Sequence, residues 1–437
     1  MQRGGWLARG AAIGLMTTIA FAGCGGDDSD SSSSGGKAGT PKGTKVIDVA
    51  SMDSPPKGTV TYCTGKDISG GYHAAAEGFE KKFGAQGYKL KIVEFPEAAD
   101  EQRNQFVQRQ QAKSPECDIF GADVIWTAEF AAQGWLYDMT PYVKSRASEY
   151  IPSTLESTEY EGKNWAVPFG TNAGLFYHRT DQVDSAPANW QEVYKEAADT
   201  KGLVFQGASY EGLTVNFLEV AFAAGGTVLS EDGKKATIDS PENLAALKLM
   251  VDGVKDGAVP KAVTTYMEEQ TRRAFEAGNA SFERNWSYVW VLGQKAPKIK
   301  GKFAAMPLPG FEGGGKGGVL GGNNLVISTY SKNPGLALKA VDWITGDEGQ
   351  KRAAVVGGQP PTLASVYDDP QVEKSLPLAN KLAEAVANAK ARPVSPVYPQ
   401  ISQAIYKNVN SALAGSVSPQ DALKKAQDQI TAALASF

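Results

Sequence analysis

Asp123 and Trp126 stand three residues apart in Asp123-Val124-Ile125-Trp126-Thr127-Ala128-Glu129-Phe130, and Arg284, Asn285 and Trp286 are adjacent in Glu283-Arg284-Asn285-Trp286-Ser287-Tyr288-Val289-Trp290. Both segments set planar polar groups beside aromatic rings. A neutral polyol needs that combination, because a ring face covers its apolar side while carboxylate, amide and guanidinium groups satisfy paired hydroxyls. Core packing is the competing role for each tryptophan, and it suits Trp126 and Trp290 better than Trp286. Carboxylates could instead hydrolyse a glycoside, and Asp118, Asp123 and Glu129 lie close together, but no local spacing marks one as a proton donor. Other reaction chemistry is poorly supplied. The chain has two histidines, His73 and His178, and no Gly-x-Ser-x-Gly, His-Glu-x-x-His or paired Cys-x-x-Cys, so a serine nucleophile and a zinc site both lack their usual frame. Gly310-Phe311-Glu312-Gly313-Gly314-Gly315-Lys316-Gly317-Gly318 approximates a phosphate loop, yet Gly317 stands where Ser or Thr must bind the metal. It also does not open a helix after a strand, so a plain loop is expected. Neither a cofactor nor a metal is implied.

The elements that would position the polar and aromatic sets alternate. Thr59 to Cys63 reads as a strand, Ala74 to Phe83 as an amphipathic helix with Phe79 and Phe83 four apart, Tyr88 to Phe95 as an alternating strand, Ala99 to Lys113 as a helix, and Asp118 to Phe120 as a short apolar strand. Such alternation predicts a parallel-rich sheet covered by helices, with ligands outside the carboxyl ends of its strands. The middle, from about Asn189 to Gly301, is helical in pattern: Trp190 to Ala198, Leu213 to Ala223, Pro241 to Lys255 and Met267 to Ala277. Ser240 before Pro241 and Ser418 before Pro419 read as helix starts, with serine capping and proline at the first helical position. Strand character returns at Asn324 to Ser328, followed by a helix from Pro334 to Ile344.

The first residues carry a different signal. Arg3 and Arg9 precede the apolar run Ala11 to Ala20, which is too short to span a bilayer and reads as an export signal. Phe21-Ala22-Gly23-Cys24 resembles the lipobox of bacterial lipoproteins, making Cys24 the expected lipidated first residue after removal of residues 1–23. Residues 24–57 open with a Gly/Ser/Asp run and are expected to be a flexible tether. With 44 basic and 48 acidic residues in 437, loss of Arg3 and Arg9 leaves a net charge of −6. That balance offers no basic footprint for nucleic acid. The 414 remaining residues suit two domains. Cys63 and Cys117 remain, and an even pair in an exported chain points to a disulfide, the other reading being two buried free thiols.

A resemblance joins these observations. Thr64-Gly65-Lys66-Asp67, Cys117 to Trp126 with Glu129-Phe130-Ala131 and Gly134-Trp135-Leu136, Trp165 to Tyr177, Gly278-Asn279-Ala280 leading to Asn285-Trp286, Gly321-Gly322-Asn323-Asn324, and Ala391-Arg392-Pro393-Val394-Ser395-Pro396 occur in this order. Together they resemble family 1 of the bacterial extracellular solute-binding proteins, the carbohydrate-binding components of ABC importers, and most resemble its trehalose/maltose-binding branch. The resemblance implies an α/β, two-lobed periplasmic-binding-protein fold of type II, each lobe a sheet flanked by helices, with ligand in the cleft between lobes. Lobe 1 would comprise 58–167 and 319–360, and lobe 2 would comprise 168–318 and 361–437. By the same resemblance Asp123 and Asn172 would bond sugar hydroxyls, Trp286 would stack on a ring, and amides near Gly321 and Gly322 would approach a second ring. Arg392 would clamp hydroxyls, and Lys66, Asp67 and Arg103 would complete the set. Gly170 stands where that branch can carry an aromatic, which leaves the particular sugar open. The implied partners are the sugar, the importer's permease subunits and, through Cys24, the outer face of the cell membrane. A monomer is expected.

Overall fold

The computed structural model describes residues 43–436. Cys24 and the expected signal segment lie outside them. Eleven strands are present among the described residues: β1 (Gly58–Thr64), β2 (Tyr88–Glu94), β3 (Ile119–Asp123), β4 (Glu159–Tyr160), β5 (Lys163–Asn164), β6 (Val167–Ala173), β7 (Leu175–Arg179), β8 (Leu203–Val204), β9 (Phe282–Asn285), β10 (Phe303–Pro307) and β11 (Leu320–Ile327). They form a five-stranded sheet in the order β2-β1-β3-β11-β6, a four-stranded sheet β10-β7-β9-β8 and the small β4-β5 hairpin. β1, β2 and β3 run parallel, as alternation with helices requires. β11 lies antiparallel to both β3 and β6, so the large sheet is mixed.

Each sheet carries its own core, and the two cores define two lobes. Val60, Phe79, Leu90, Ile119, Phe169, Leu325 and Val341 belong to the first; Phe176, Trp190, Phe217, Leu247, Phe282 and Ile405 belong to the second. Helix starts follow the expected capping chemistry: the Ser240 hydroxyl accepts from Asn243 N, Asn333 Oδ1 from Leu336 N and Ser418 Oγ from Asp421 N, with proline next in each case. The helix Pro241–Lys255 coincides with the expected one.

The first and third chain crossings between lobes fall at places that differ from expectation. Pro168 is not a boundary but sits inside β6, an edge strand where a missing N–H is tolerated. The first crossing falls at Gly174, between β6 and β7. A Cβ there would lie 2.3 Å from Glu219 Oε1, so the turn has room only for glycine. The second runs between β10 and β11. Residues after 360 were expected in lobe 2, yet Leu363, Val366, Val372 and Leu376 pack in the first core, and Leu378 and Leu382 are the first to join the second. The stretch from Gly358 to Pro361 bends back over β6, with Thr171 N donating to Pro360 O at 3.2 Å, so it stays with lobe 1.

The expectation of a flexible tether through residue 57 also fails from Lys45 onward. Ile47 N donates to Asp138 O (3.0 Å), Asp138 N to Lys45 O (2.8 Å), and Ile47 is buried in the first core. Asp48 caps a short turn, Val49–Met52, that packs on the helix Pro334–Thr345, where Ser51 O comes so close that a Cβ at Gly335 would lie 2.6 Å from it. Val46, Ile47, Val49 and Met52 give this segment apolar surface that the Gly/Ser run before it lacks.

Cys63 and Cys117 are joined in a disulfide with Cα atoms 5.8 Å apart. Tyr62 pairs with Ile119 and Cys63 with Phe120 across β1 and β3, so the bridge runs diagonally to the residue leading into β3. Both sulfurs are buried among Phe95, Phe106, Phe120 and Trp126.

Candidate functional site

Between the lobes lies a cavity of ≈ 280 Å³, close to the lower end, about 300 Å³, of ordinary small-molecule sites. Its walls come from the carboxyl ends of β1 and β3, the start of β11, the lobe 1 loop at Gly358-Gln359, and, from lobe 2, the openings of three helices at Glu211, Glu268 and Tyr288.

Trp286 follows β9 directly. The Arg284 guanidinium lies 4.1 Å from the Trp286 ring centroid, and Arg284 is itself locked in a buried ion pair with Glu219, its Nε donating to Oε2 at 2.6 Å, with Nη1 on Gln206 Oε1 at 2.8 Å. One face of the indole is thus backed by a fixed cation, and the residue lines the cavity. The Glu268 carboxylate, which accepts from the Tyr210 hydroxyl at 2.7 Å, lines the same cavity. Trp126 is almost fully buried, with its ring 5.9 Å from Phe130, and still touches the cavity; Trp290 packs on Phe303 at 5.0 Å.

Arg392 lines the cavity, with its guanidinium already engaged inside the protein. Its Nη1 donates to Glu211 Oε1 at 2.7 Å and its Nη2 to Asp123 Oδ1 at 2.9 Å and Leu320 O at 3.4 Å. Its side chain is 2% exposed, so it ties β3 of lobe 1 to the first residue of the helix Glu211–Ala223 in lobe 2 rather than presenting a free fork. Asp123 accepts from Arg392 and from Ile125 N through Oδ1, which leaves Oδ2 without a protein partner. Asp67 borders the cavity, but its carboxylate is spent on Gly70 N, His73 N and His73 Nδ1, all at 2.9 Å, at the start of the helix Gly71–Phe83. Lys66 is exposed and borders the cavity, and Asn172 borders it from β6, with Oδ1 accepting from Ala173 N at 3.0 Å. Arg103 does not line the cavity; it forms a two-pronged pair with Glu129 outside it.

Gly321 and Gly322 do line it, yet their need for glycine is internal. A Cβ on Gly322, whose φ is +131°, would meet Gly170 O at 2.3 Å, and one on Gly321 would meet the Trp286 ring at 3.0 Å. The sequence-derived set omitted Tyr72, Glu97, Tyr210, Glu211, Glu268 and Gln359, all cavity-lining. Nothing local flags them, because each reaches the cleft only through the way distant elements meet.

The hydrolytic set is dispersed. Asp118 accepts from Thr61 N (2.9 Å) and the Ser331 hydroxyl (2.6 Å), and Glu129 belongs to Arg103. Of the three, only Asp123 borders the cavity.

Two contacts bind the lobes across the cleft besides Arg392. Asp100 Oδ2 accepts from Glu211 N at 2.8 Å, and the Ser287 hydroxyl donates to Gly358 O at 3.2 Å. The Arg392 guanidinium serves two carboxylates, buried Glu211 and part-exposed Asp123. Burial outweighs Arg392 and, with the Asp123 charge, pushes the Glu211 carboxyl up to about 7, although the Tyr398 and Ser402 hydroxyls oppose it. The folded protein then holds a proton that the unfolded chain, with an ordinary value of about 4.3, has released. Glu211 should consequently lower stability as pH rises from about 4.5 through 7. Glu283, raised to about 8 chiefly by burial, acts in the same direction. Urea-unfolding free energies at pH 5, 6, 7 and 8 should decline less steeply in Glu211→Gln than in the parent; parallel profiles would show that Glu211 carries no such proton.

Two sheet-built lobes that close on a polar, aromatic-backed cavity at their crossing define a two-lobed ligand receptor. The chain belongs to the bacterial extracellular solute-binding protein family, whose model matches residues 65–351. A probable ABC transporter-binding protein of Deinococcus radiodurans is 33% identical over 384 residues, spanning 83% of this chain and 91% of that protein. Among solved structures, maltose-bound MalE3 of T. maritima superposes with a TM-score of 0.80 at 34% identity, covering 85% of this chain and 98% of that one. An ABC transporter solute-binding protein of Thermotoga lettingae bound with α-D-tagatose gives 0.79 at 26% identity, covering 87% and 100%.

Proposed function

We propose that the protein is an extracytoplasmic sugar receptor that captures an α-linked disaccharide such as trehalose or maltose and delivers it to the permease subunits of an ABC importer, held to the membrane by lipid on Cys24 and acting as a monomer. The observation that carries this reading is Trp286, a ring backed by a fixed guanidinium and bordering a cavity otherwise rich in hydroxyl, amide and carboxylate groups. The likeness to maltose-bound MalE3 at 34% identity supports the same substrate class. Trp286 and Tyr210 come from lobe 2, and Asp123, Asn172 and Tyr72 come from lobe 1. A ligand touching both sets favours the closed arrangement, because only a difference in affinity between open and closed states can shift that equilibrium. The permease would then recognise the closed form. No hydrolysis is assigned: Glu211 is occupied by Arg392 and two hydroxyls, and Glu268 by Tyr210.

Isothermal calorimetry of the protein with trehalose, maltose, sucrose and related glycosides, with chromatography of the same samples, tests the reading. Tight binding of one α-linked disaccharide with no monosaccharide released is the expected result. Steady release of monosaccharide would make the protein a glycoside hydrolase, and binding confined to a longer oligosaccharide or another polyol would replace the disaccharide.

A further inference from the structure

Gly170 faces Asn323 across β6 and β11, immediately before the register shifts between Asn323 and Asn324. The space a side chain would need there is filled. A Cβ on Gly170 would fall 1.4 Å from Gln359 Nε2 and 2.8 Å from Asn323 Oδ1. Gln359 Nε2 donates to Asn323 Oδ1 at 3.1 Å, and Asn323 Nδ2 donates to the Tyr72 hydroxyl at 2.6 Å. Tyr72 is clamped by Phe169 and Tyr62, ring centroids 5.8 and 6.3 Å away. All three side chains line the cavity.

This chain of hydrogen bonds has a direction. The Tyr72 oxygen accepts from Asn323, so its own O–H is left to donate, and burial beside Asp67 and Asp123 pushes its ionisation far up, keeping that proton in place. At the other end Gln359 Oε1 has no protein partner and accepts. We infer that Gln359, Asn323 and Tyr72 form a specificity-determining relay, one fixed donor and one fixed acceptor that select two ligand hydroxyls, and that glycine at 170 exists to admit Gln359. The inference rests on the sugar-receptor reading. A ligand lacking the matched hydroxyl leaves an oriented polar group unpaired in a closed site, a stronger penalty than loss of surface contact.

The test measures, by calorimetry, the affinity of the parent and of Gln359→Ala, Gly170→Ala, Gly170→Ala/Gln359→Ala and Tyr72→Phe for the best-bound disaccharide and for its monodeoxy analogues. In the parent, one monodeoxy analogue should bind about tenfold more weakly than the disaccharide. In Tyr72→Phe, which keeps the ring packing, that ratio should fall towards one. Gly170→Ala and Gln359→Ala should each lose about tenfold, and the double variant no more than either, since alanine at 170 already displaces Gln359. Unchanged ratios in Tyr72→Phe, or losses that add in the double variant, overturn the relay while leaving the receptor intact. A parent that binds no sugar removes both readings. Thermal unfolding monitors folding, and if Gly170→Ala does not fold, Gln359→Ala and Tyr72→Phe carry the decision through the same ratios.

Discussion

Trp286→Ala should weaken ligand binding by about 3 kcal/mol, on the order of a hundredfold, the scale expected when a central aromatic anchor is truncated. The ring loses its contact with the ligand and also stops covering Arg284, whose ion pair with Glu219 then meets water. Folding should be nearly unaffected, because Trp286 stands at the cavity edge while Tyr177 holds its backbone carbonyl at 2.8 Å. Calorimetry paired with thermal unfolding separates the two effects. Unchanged affinity would make Trp286 a structural residue and remove the stacking platform from the proposed function.

Removing the disulfide should be the largest single loss of stability. Cys63 and Cys117 close a loop of sequence separation 54, worth about 4 kcal/mol when loop closure is taken out of the unfolded chain. The loop contains β2 and two helices, so much of lobe 1 is affected. Cys63→Ala/Cys117→Ala is expected to move the urea midpoint down accordingly, and dithiothreitol to do the same to the parent. A midpoint that stays put would mean that packing around Phe106 and Phe120, not the covalent link, holds these strands.

The alternation of strands and helices from Thr59 to Phe120 was legible because each element carries its own periodicity. The Ser-Pro helix openings were legible because capping is local. What escaped was long-range. β11 begins at Leu320 rather than Asn324, since Gly321-Gly322 has turn composition and becomes strand only by pairing with β3 and β6. Pro168 imitates a boundary but rests in an edge strand, and the third crossing depends on which core accepts Val366 and Val372. At the site, Asp123 and Trp286 were readable as residue types suited to polyols, and Asn172 only through the family resemblance. Arg392 and Asp67 were readable only as charges, and their partners, Glu211 more than 180 positions away and the amides of Gly70 and His73, decide what they do. Glu211 itself opens an otherwise apolar helix, where composition points to core.

The docking of Lys45 to Asp53 on lobe 1 has a mechanical consequence. Asp138 and the helix Pro334–Thr345 grip this segment, so any pull arriving from upstream would fall on lobe 1. Lobe 2, joined through the three crossings and the cleft contacts of Arg392, Asp100 and Ser287, takes no part in that grip. Under the proposed anchoring at Cys24, a pull from upstream would therefore load lobe 1 and leave the cleft free to open and close.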